Sequence, residues 1–502
     1  MKILNYLTKF FSRRLEIAVF VCGAVVMIFE LVGSRLLAPY LGSSLITWTS
    51  LIGVILASLS LGYWYGGKVA DREAGERRLA VIILAAGAFL LIVLPMSKPL
   101  LASLSLATWP LQIKAILASL SLFTPASMTL GMVAPYAVKL RLANLDSVGR
   151  RVGSLYAIST LGSLAGTFGA GFWLVPFFGT LKIVAGLGII LIALALWLYF
   201  ADNFNKKLIP KLVVFALALG GLSYWFTHPL DNLLADQDTS YSRVWIYDSL
   251  WGPEQAAVRI MRLDSSYSSA MFLDKNDLVF DYTKYYRLAG YFNPALNKAL
   301  MIGGAAYSYP KDFLANYPRA ELTVAEIDPS VTKLAEEYFK LPRDPRLIIK
   351  HVDGRVWLNQ TKDKYDAIFV DAFASSLAIP FQLATKEAAQ AEFDALNNDG
   401  AVIVNVVSAV TGPKGRLTRS MYATYKEIFP QVYLLPVGTN DQAEAMQNVM
   451  LVALKAKIKP NFKPIDSPYQ ELLSHLWTKP IAGAPVLTDD WAPTDYFVSQ
   501  TL

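Results

Sequence analysis

The stretch ELTVAEIDPSVTKLAEEYFK, residues 321–340, reads as one strand that runs straight into one helix. Two acids, Glu326 and Asp328, close the strand. Pro329 follows, in a place where Asp328 can also cap the helix that begins there. The same rhythm repeats on both sides of it. Upstream, KALMIGG (298–304) ends on the glycine pair Gly303-Gly304 and leads to a helix over 310–316. Downstream come RLIIKHVDG (346–354), YDAIFVDAF (365–373), a helix near 385–396 and GAVIVNVV (400–407). Near-continuous apolar strands alternating with helices predict a parallel, doubly wound α/β sheet. In such sheets ligands bind at the carboxyl ends of the strands. Three strands here end in acid, at Glu326/Asp328, Asp353 and Asp371. Before this sheet, RVWIYDS, AAVRIMRLD and SAMFLD alternate as short strands and predict a small antiparallel β-domain.

The rest of the chain is of another kind. Of its 502 residues 54% are hydrophobic and 17% charged, with a mean hydropathy of +0.39. That is too apolar for one soluble fold and too polar for membrane alone. Apolar runs fill Leu15 to Phe226, and charge returns from His228 onward. The expected division is a multi-pass membrane domain over 1–227, the small β-domain over 228–296 and the α/β domain over 297–502. A span takes about 20 apolar residues. Candidates are 15–38, 44–66, 152–176, 181–201 and 208–227. The tract between Arg78 and Lys139, punctuated by Pro99, Pro110, Pro125 and Pro135, has room for three more. Eight spans is the expected count, with seven as the alternative. Eight return the α/β domain to the cytoplasm but put Arg150/Arg151 and Lys206/Lys207 outside, against the positive-inside tendency; seven satisfy the charges and export the domain. The single Cys22 and three scattered histidines exclude a disulfide framework and make a metal site an unfavoured reading. No basic cluster interleaves with aromatics, so nucleic acid is not an expected partner.

Within the first span, Glu30 and Arg35 are ionisable residues in an apolar run, which makes them either a membrane-domain site or a packing pair. TLGSLAGTFGAG (160–171) is read as close helix packing at Gly162 and Gly166. At the strand ends the bland readings are caps and turns for Asp328 and Asp353-Gly354. The functional one is a nucleoside. Glycines let backbone approach a ligand, and one carboxylate can accept ribose hydroxyls while the next accepts an adenine amino hydrogen.

These motifs in this order, LMIGG, VAEIDPSV, DPRLIIKHVDGRVWL and YDAIFVDAF, resemble the spermidine synthase family, the polyamine aminopropyltransferases, with their class I methyltransferase-like (Rossmann-like) fold. FELVGSRLLAPYLGSS, LSLGYWYGG and LTDDWAPTDYF resemble bacterial relatives that carry an N-terminal multi-pass domain. The resemblance implies that Gly303, Gly304, Glu326, Asp328, Asp353 and Gly354 bind the nucleoside. It makes Asp371 the base that takes a proton from an attacking amine, with Tyr285 a second catalytic candidate lining the acceptor pocket. Tyr241, Asp264, Asp281 and Arg287 are implied on the substrate side. S-adenosylmethionine or its decarboxylated form is the implied co-substrate, methylthioadenosine the implied product, and no prosthetic group or metal is implied.

Departures from the family pattern keep other chemistry open. Ala306 and Ala374 stand where the family has aspartates, Ser242 and Ser268 where it has glutamines, and Arg287 where it has a glutamate. Arg287 can pair with a carboxylate, which favours the donor that retains one. The expectation is therefore a membrane-bound aminopropyltransferase-like enzyme. The alternatives are a methyltransferase, a lyase or cyclase without a polyamine acceptor, or a transporter or sensor with a nucleoside-binding domain. The expected location is the inner membrane with the catalytic domain cytoplasmic; the expected partners are lipid, the sulfonium nucleoside and an amine, and a homodimer stays open.

Overall fold

The structure is a computed structural model that describes residues 14–72, 74–141, 148–200, 232–373, 379–438, 442–462 and 467–499. It divides into two compact units, Met1–Leu230 and Asp231–Leu502.

Six long apolar helices make up the described part of the first unit: α1 (Arg14–Leu41), α2 (Leu45–Arg72), α3 (Glu76–Leu106), α4 (Leu111–Arg141), α5 (Val148–Gly169, continued by a π-helical turn to Leu174) and α6 (Thr180–Phe200). The shortest has 21 residues and reaches about 30 Å, enough to cross a hydrocarbon core. The tract between Arg78 and Lys139 corrects the expected count, because two helices fill it rather than three. Pro99, Pro125 and Pro135 lie inside helices, and only Pro110 falls between them. Proline does not end a helix whose freed backbone groups are satisfied by neighbouring helices. The candidate span 208–227 lies outside the described residues.

Charge gathers at one end of these helices. Arg14 pairs with Glu76 at 3.7 Å, Arg141 with Glu16 at 2.5 Å and Lys139 with Asp71 at 2.7 Å. Arg151 donates to the Arg141 carbonyl at 3.0 Å. Gly162 and Gly166 of α5 meet α1, as expected: a Cβ at these positions would stand 2.0 Å from the Phe20 carbonyl oxygen and 2.4 Å from that of Ala24. Glu30 and Arg35 are both half-buried on α1. Five residues apart, they are set about 140° from each other around the helix axis, which does not favour a direct pair.

The second unit opens with a four-stranded antiparallel sheet in sequence order, β1 (Leu233–Asp238), β2 (Arg243–Trp251), β3 (Ala256–Leu263) and β4 (Ser266–Phe272). The three expected strands are present. β1, LLADQD, has no alternating apolar pattern and was invisible to periodicity.

A seven-stranded sheet follows, in the order β10-β11-β9-β8-β5-β6-β7. Its strands are β5 (Lys298–Ile302), β6 (Glu321–Ala325), β7 (Leu347–Lys350), β8 (Tyr365–Val370), β9 (Leu396–Ser408), β10 (Gln431–Pro436) and β11 (Gln447–Leu454). β5 to β9 are parallel, while β11 runs antiparallel to both neighbours. The sheet is therefore mixed rather than purely parallel, because the last two strands form a hairpin-like pair. Leu300, Ile302, Ile368 and Val370 join one apolar cluster, and Ala299, Met301, Ala367 and Phe369 the other. Both faces are thus covered, which is why the strands read as continuous apolar runs. The longer helices are α7 (Ser308–Asn316), α8 (Pro329–Tyr338), α9 (Gly354–Gln360), α10 (Lys386–Ala395) and α11 (Arg416–Lys426). The chain runs outward from β5 through β6 to β7, then returns to β8 and β9. That reversal leaves a switch point between β5 and β8, where such sheets open a ligand crevice.

Candidate active site

The carboxyl edge carries, in spatial order, Asp371 after β8, Gly303-Gly304 after β5, Glu326 and Asp328 after β6, and Asp353 after β7. β5 and β8 meet closely. The Asp371 N–H donates to the Ile302 carbonyl at 2.9 Å. Gly303 has φ +91°, and a Cβ there would lie 2.3 Å from the Asp371 carbonyl oxygen. Only glycine lets the two strand ends approach this far.

Asp371 is held by side chains. Tyr282 donates its hydroxyl to Oδ2 at 3.1 Å, and Asn405 of β9 donates Nδ2 to Oδ1 at 3.0 Å. Asn448 of β11 donates in turn to Asn405 Oδ1 at 2.9 Å. Burial pushes the Asp371 carboxyl up to about 6, against hydrogen bonds from Asn405, Tyr282 and Tyr286 that lower it. Burial and the neighbouring carboxylate push the Tyr282 phenol well above its ordinary value, so it stays a donor. A carboxylate fixed in this way and titrating near 6 is suited to take a proton.

Glu326 behaves differently. It is 7% exposed. Its Oε2 accepts from the Gly304 and Ala305 N–H groups at 2.8 and 3.0 Å, and its Oε1 from the Asp328 N–H at 2.9 Å. It binds main chain and shapes the glycine loop. Asp328 is 2% exposed. Its Oδ1 caps α8 through the Ser330 N–H at 2.9 Å, while its Oδ2 is buried without a partner among the described residues. Buried carboxylate oxygens are costly unless hydrogen-bonded, so Oδ2 fits a ligand hydroxyl. The residue between them, Ile327, is 38% exposed, and Val356 near Asp353 is 41% exposed. Two open apolar side chains along this edge fit the faces of a flat ring. Asp353 caps α9, its Oδ1 accepting from Arg355 and Val356 N–H at 2.8 and 3.1 Å. At Gly354 a Cβ would stand 2.3 Å from Ile302 Cγ2.

The substrate-side residues are placed less as expected. Tyr285 does not reach Asp371: it is buried with its ring 6.1 Å from that of His475. Tyr282 and Tyr286 lie four apart on the Asp281–Phe292 turns and share the face toward β8, which turns Tyr285 away. Arg287 binds Asp312 of α7 in a fork, Nε to Oδ2 at 2.9 Å and Nη2 to Oδ1 at 2.5 Å, and also reaches Asp277 at 3.3 Å. It is not positioned to await a substrate carboxylate. Asp281 is exposed and pairs with Lys284 at 2.8 Å. Asp264, at φ +49°, sits in the β3–β4 turn and accepts from the Arg243 N–H at 3.0 Å. Tyr241 is exposed in the β1–β2 turn, its N–H on Thr239 Oγ1 at 3.1 Å. Ala306 is fully buried against the small sheet's core, its N–H on Ser269 Oγ at 3.2 Å. Ala374 lies outside the described residues. Sequence reading missed Tyr282, Tyr286 and Asn405, and only the spacing of tyrosines in DYTKYY pointed to the first two.

The second unit is a Rossmann-like α/β sheet behind a small antiparallel sheet, and part of it matches a known family. Residues 286–460 match the spermine/spermidine synthase domain, and six long apolar helices precede them in the sequence. It is 30% identical over 219 residues to a probable polyamine aminopropyl transferase of Bifidobacterium longum, covering 40% of this chain and 48% of that one. Polyamine aminopropyltransferase 1 of Streptomyces coelicolor is 23% identical over 437 residues, covering 80% of this chain and 77% of that one. The chain spans about half the length of the first curated relatives it matches, 48% in Bifidobacterium longum and 46% in Vibrio vulnificus. Among solved structures, a probable spermidine synthase from Corynebacterium glutamicum is 18% identical with a TM-score of 0.41, covering 54% of this chain and 93% of that one.

Proposed function

We propose that this protein is a membrane-bound aminopropyltransferase-like enzyme acting on a sulfonium nucleoside. The observation that carries the reading is Asp371, a carboxylate at the β5/β8 switch point gripped by Tyr282 and Asn405 and titrating near 6. The donor's ribose would lie against Asp328 Oδ2, its adenine between Ile327 and Val356 and near Asp353. An acceptor amine attacks the carbon next to sulfur. The new C–N bond forms as the C–S bond breaks, the sulfur leaves as the neutral thioether of methylthioadenosine, and the amine's proton passes to Asp371. An ammonium is no nucleophile until that proton is gone, and the displacement otherwise needs mainly positioning.

Between the two donors, decarboxylated S-adenosylmethionine is now favoured. Arg287 is the residue that would meet a donor carboxylate, and Asp312 occupies its guanidinium. A second reading keeps the nucleoside but drops the polyamine acceptor, as a lyase, cyclase or methyltransferase. Ala306 favours it, since that wall of the loop is apolar and sealed. Incubating the purified protein with each donor, with and without polyamines, and identifying products by mass spectrometry separates the two. Methylthioadenosine formed only with an amine supports transfer; methylthioadenosine or a lactone without one supports the second reading.

The charged end of the helix unit is assigned to the cytoplasm, because basic residues gather there and the short turns at residues 42–44, 107–110 and 178–179 have none. α6 returns to that same end. Sulfonium nucleosides are made from ATP and methionine, which supports a cytoplasmic catalytic domain. The segment 208–227 decides it: a reporter fused after Leu502 and active only outside would show that this segment crosses.

A further inference from the structure

Two N–H donors on residues that line one cavity are buried with nothing to bind among the described residues. The Arg419 Nε of α11 and the Trp477 indole Nε1 have no hydrogen-bond partner among the described residues. Both residues line one cavity of about 300 Å³. Its walls are the turn after β9, Val410 to Pro413, and a strap of chain from the C-terminal region that includes Pro480 and Ile481. Trp477 is 8% exposed and is anchored by its backbone N–H on the Leu434 carbonyl at 2.8 Å.

The guanidinium is uncompensated. Arg419 Nη1 donates to the Gly412 carbonyl at 2.8 Å, and among the described residues no carboxylate pairs with it. Burial and the nearby Arg416 push its pKa below the ordinary value. One acid does border the turn: the carboxylate of Glu444 packs against Gly412, exposed to solvent and without an ion pair to Arg419. Across the same strap, a cavity of about 480 Å³ shares Trp477, Pro480 and Ile481. It adds Lys426, Lys459 and Lys479 and has no Asp or Glu in its lining among the described residues.

A partly buried cation and a buried indole N–H, both unanswered, are costly unless an acceptor arrives. Oxygens of a single anion answer both, and a charge-assisted N–H···O⁻ bond is the stronger kind. We propose that the cavity between α11 and the strap is a binding site for an oxyanion of the phosphate class, received by Arg419 and Trp477 and drawn by the three lysines beyond the strap. The smaller cavity is at the lower end of small-molecule sites, which suits one phosphoryl group, and the lysines suit a ligand with more than one. A free phosphorylated compound and a phospholipid headgroup share this chemistry. None of the strand-end residues assigned to the nucleoside lines this cavity, and the inference does not rest on the proposed reaction.

The test uses the full chain in phosphatidylcholine nanodiscs, titrated with pyrophosphate by calorimetry. Saturable binding is expected, weakened at least ten-fold in Arg419→Gln and several-fold in Trp477→Phe, which keeps the ring and drops the N–H. Repeating the titration in phosphatidylglycerol discs separates the sources: weaker pyrophosphate binding at matched ionic strength means a lipid headgroup holds the site, and unchanged affinity means a soluble ligand. No saturable binding in phosphatidylcholine, or affinity unmoved by Arg419→Gln, overturns the proposal. Should that variant not fold, unmoved affinity in Trp477→Phe overturns it equally.

Discussion

The ends of β6 and β8 carry carboxylates of the same kind in similar positions, and they have opposite surroundings. Glu326 accepts from three backbone N–H groups and leaves its loop no freedom. Asp371 is held by the side chains of Tyr282 and Asn405, and burial raises it to about 6. A carboxylate saturated by main chain is architecture, because protonating it breaks the loop it organises. One held by side chains can gain and lose a proton while the backbone stays in place. Asp328 stands between these extremes, one oxygen capping α8 and the other buried without a partner.

The sharpest way to break this contrast is Asp371→Asn. The amide keeps the shape and accepts no proton, so turnover should fall about 10²–10⁴-fold with methylthioadenosine affinity retained. Turnover within a few-fold of wild type, measured at saturating donor, would remove the distinction between the two strand ends.

Next in size is Asp328→Ala. It removes the orphaned Oδ2 and the α8 cap, and each charged hydrogen bond lost is worth about 1.5–3 kcal/mol. Methylthioadenosine should bind about ten-fold weaker or worse by calorimetry. An unchanged affinity would mean that Oδ2 never meets the ligand.

For Glu326→Gln the expected loss is in stability rather than chemistry. The amide group turns one acceptor oxygen into a donor facing N–H groups, and an unsatisfied buried donor costs about 1–3 kcal/mol. Tm should fall by several degrees, with the pH dependence of any remaining turnover unmoved.

The smallest effect concerns pH. Asp371 acts as a base only when ionised, so kcat/KM should rise with pH through about 6 and level off above it. Tyr282 donates to the ionised form, and removing that bond in Tyr282→Phe should move the limb to higher pH. The same upward shift has a stability sign. Between the ordinary carboxylate value and about 6 the folded chain binds more protons than the unfolded one. Ionising Asp371 therefore lowers stability as pH rises through that window. A limb that stays put in Tyr282→Phe would mean that the phenol does not tune the base.

Some of this was legible in the chain alone, and the reason is distance along it. KALMIGG, ELTVAEID, RLIIKHVDG and YDAIFVDAF announce strands with glycine or acid at their ends, because strand burial and the residue that follows are local properties. The apolar helices of the first unit follow from run length in the same way, and Gly162 and Gly166 from their spacing. The number of helices between Arg78 and Lys139 did not, because whether a proline ends a helix depends on what packs beside it. Nor did the partners of the site. Asp371 meets Tyr282 from 89 residues away and Asn405 from 34, and Arg287 is taken by Asp312 rather than by substrate. Those pairings depend on strand order: the chain reverses between β7 and β8, sets β8 against β5, and only then brings the glycine loop to Asp371. The sequence determined which residue types stand at each strand end. The tertiary structure decided which carboxylate is bound by backbone and which by side chains, because hydrogen-bond saturation is a property of neighbours in space.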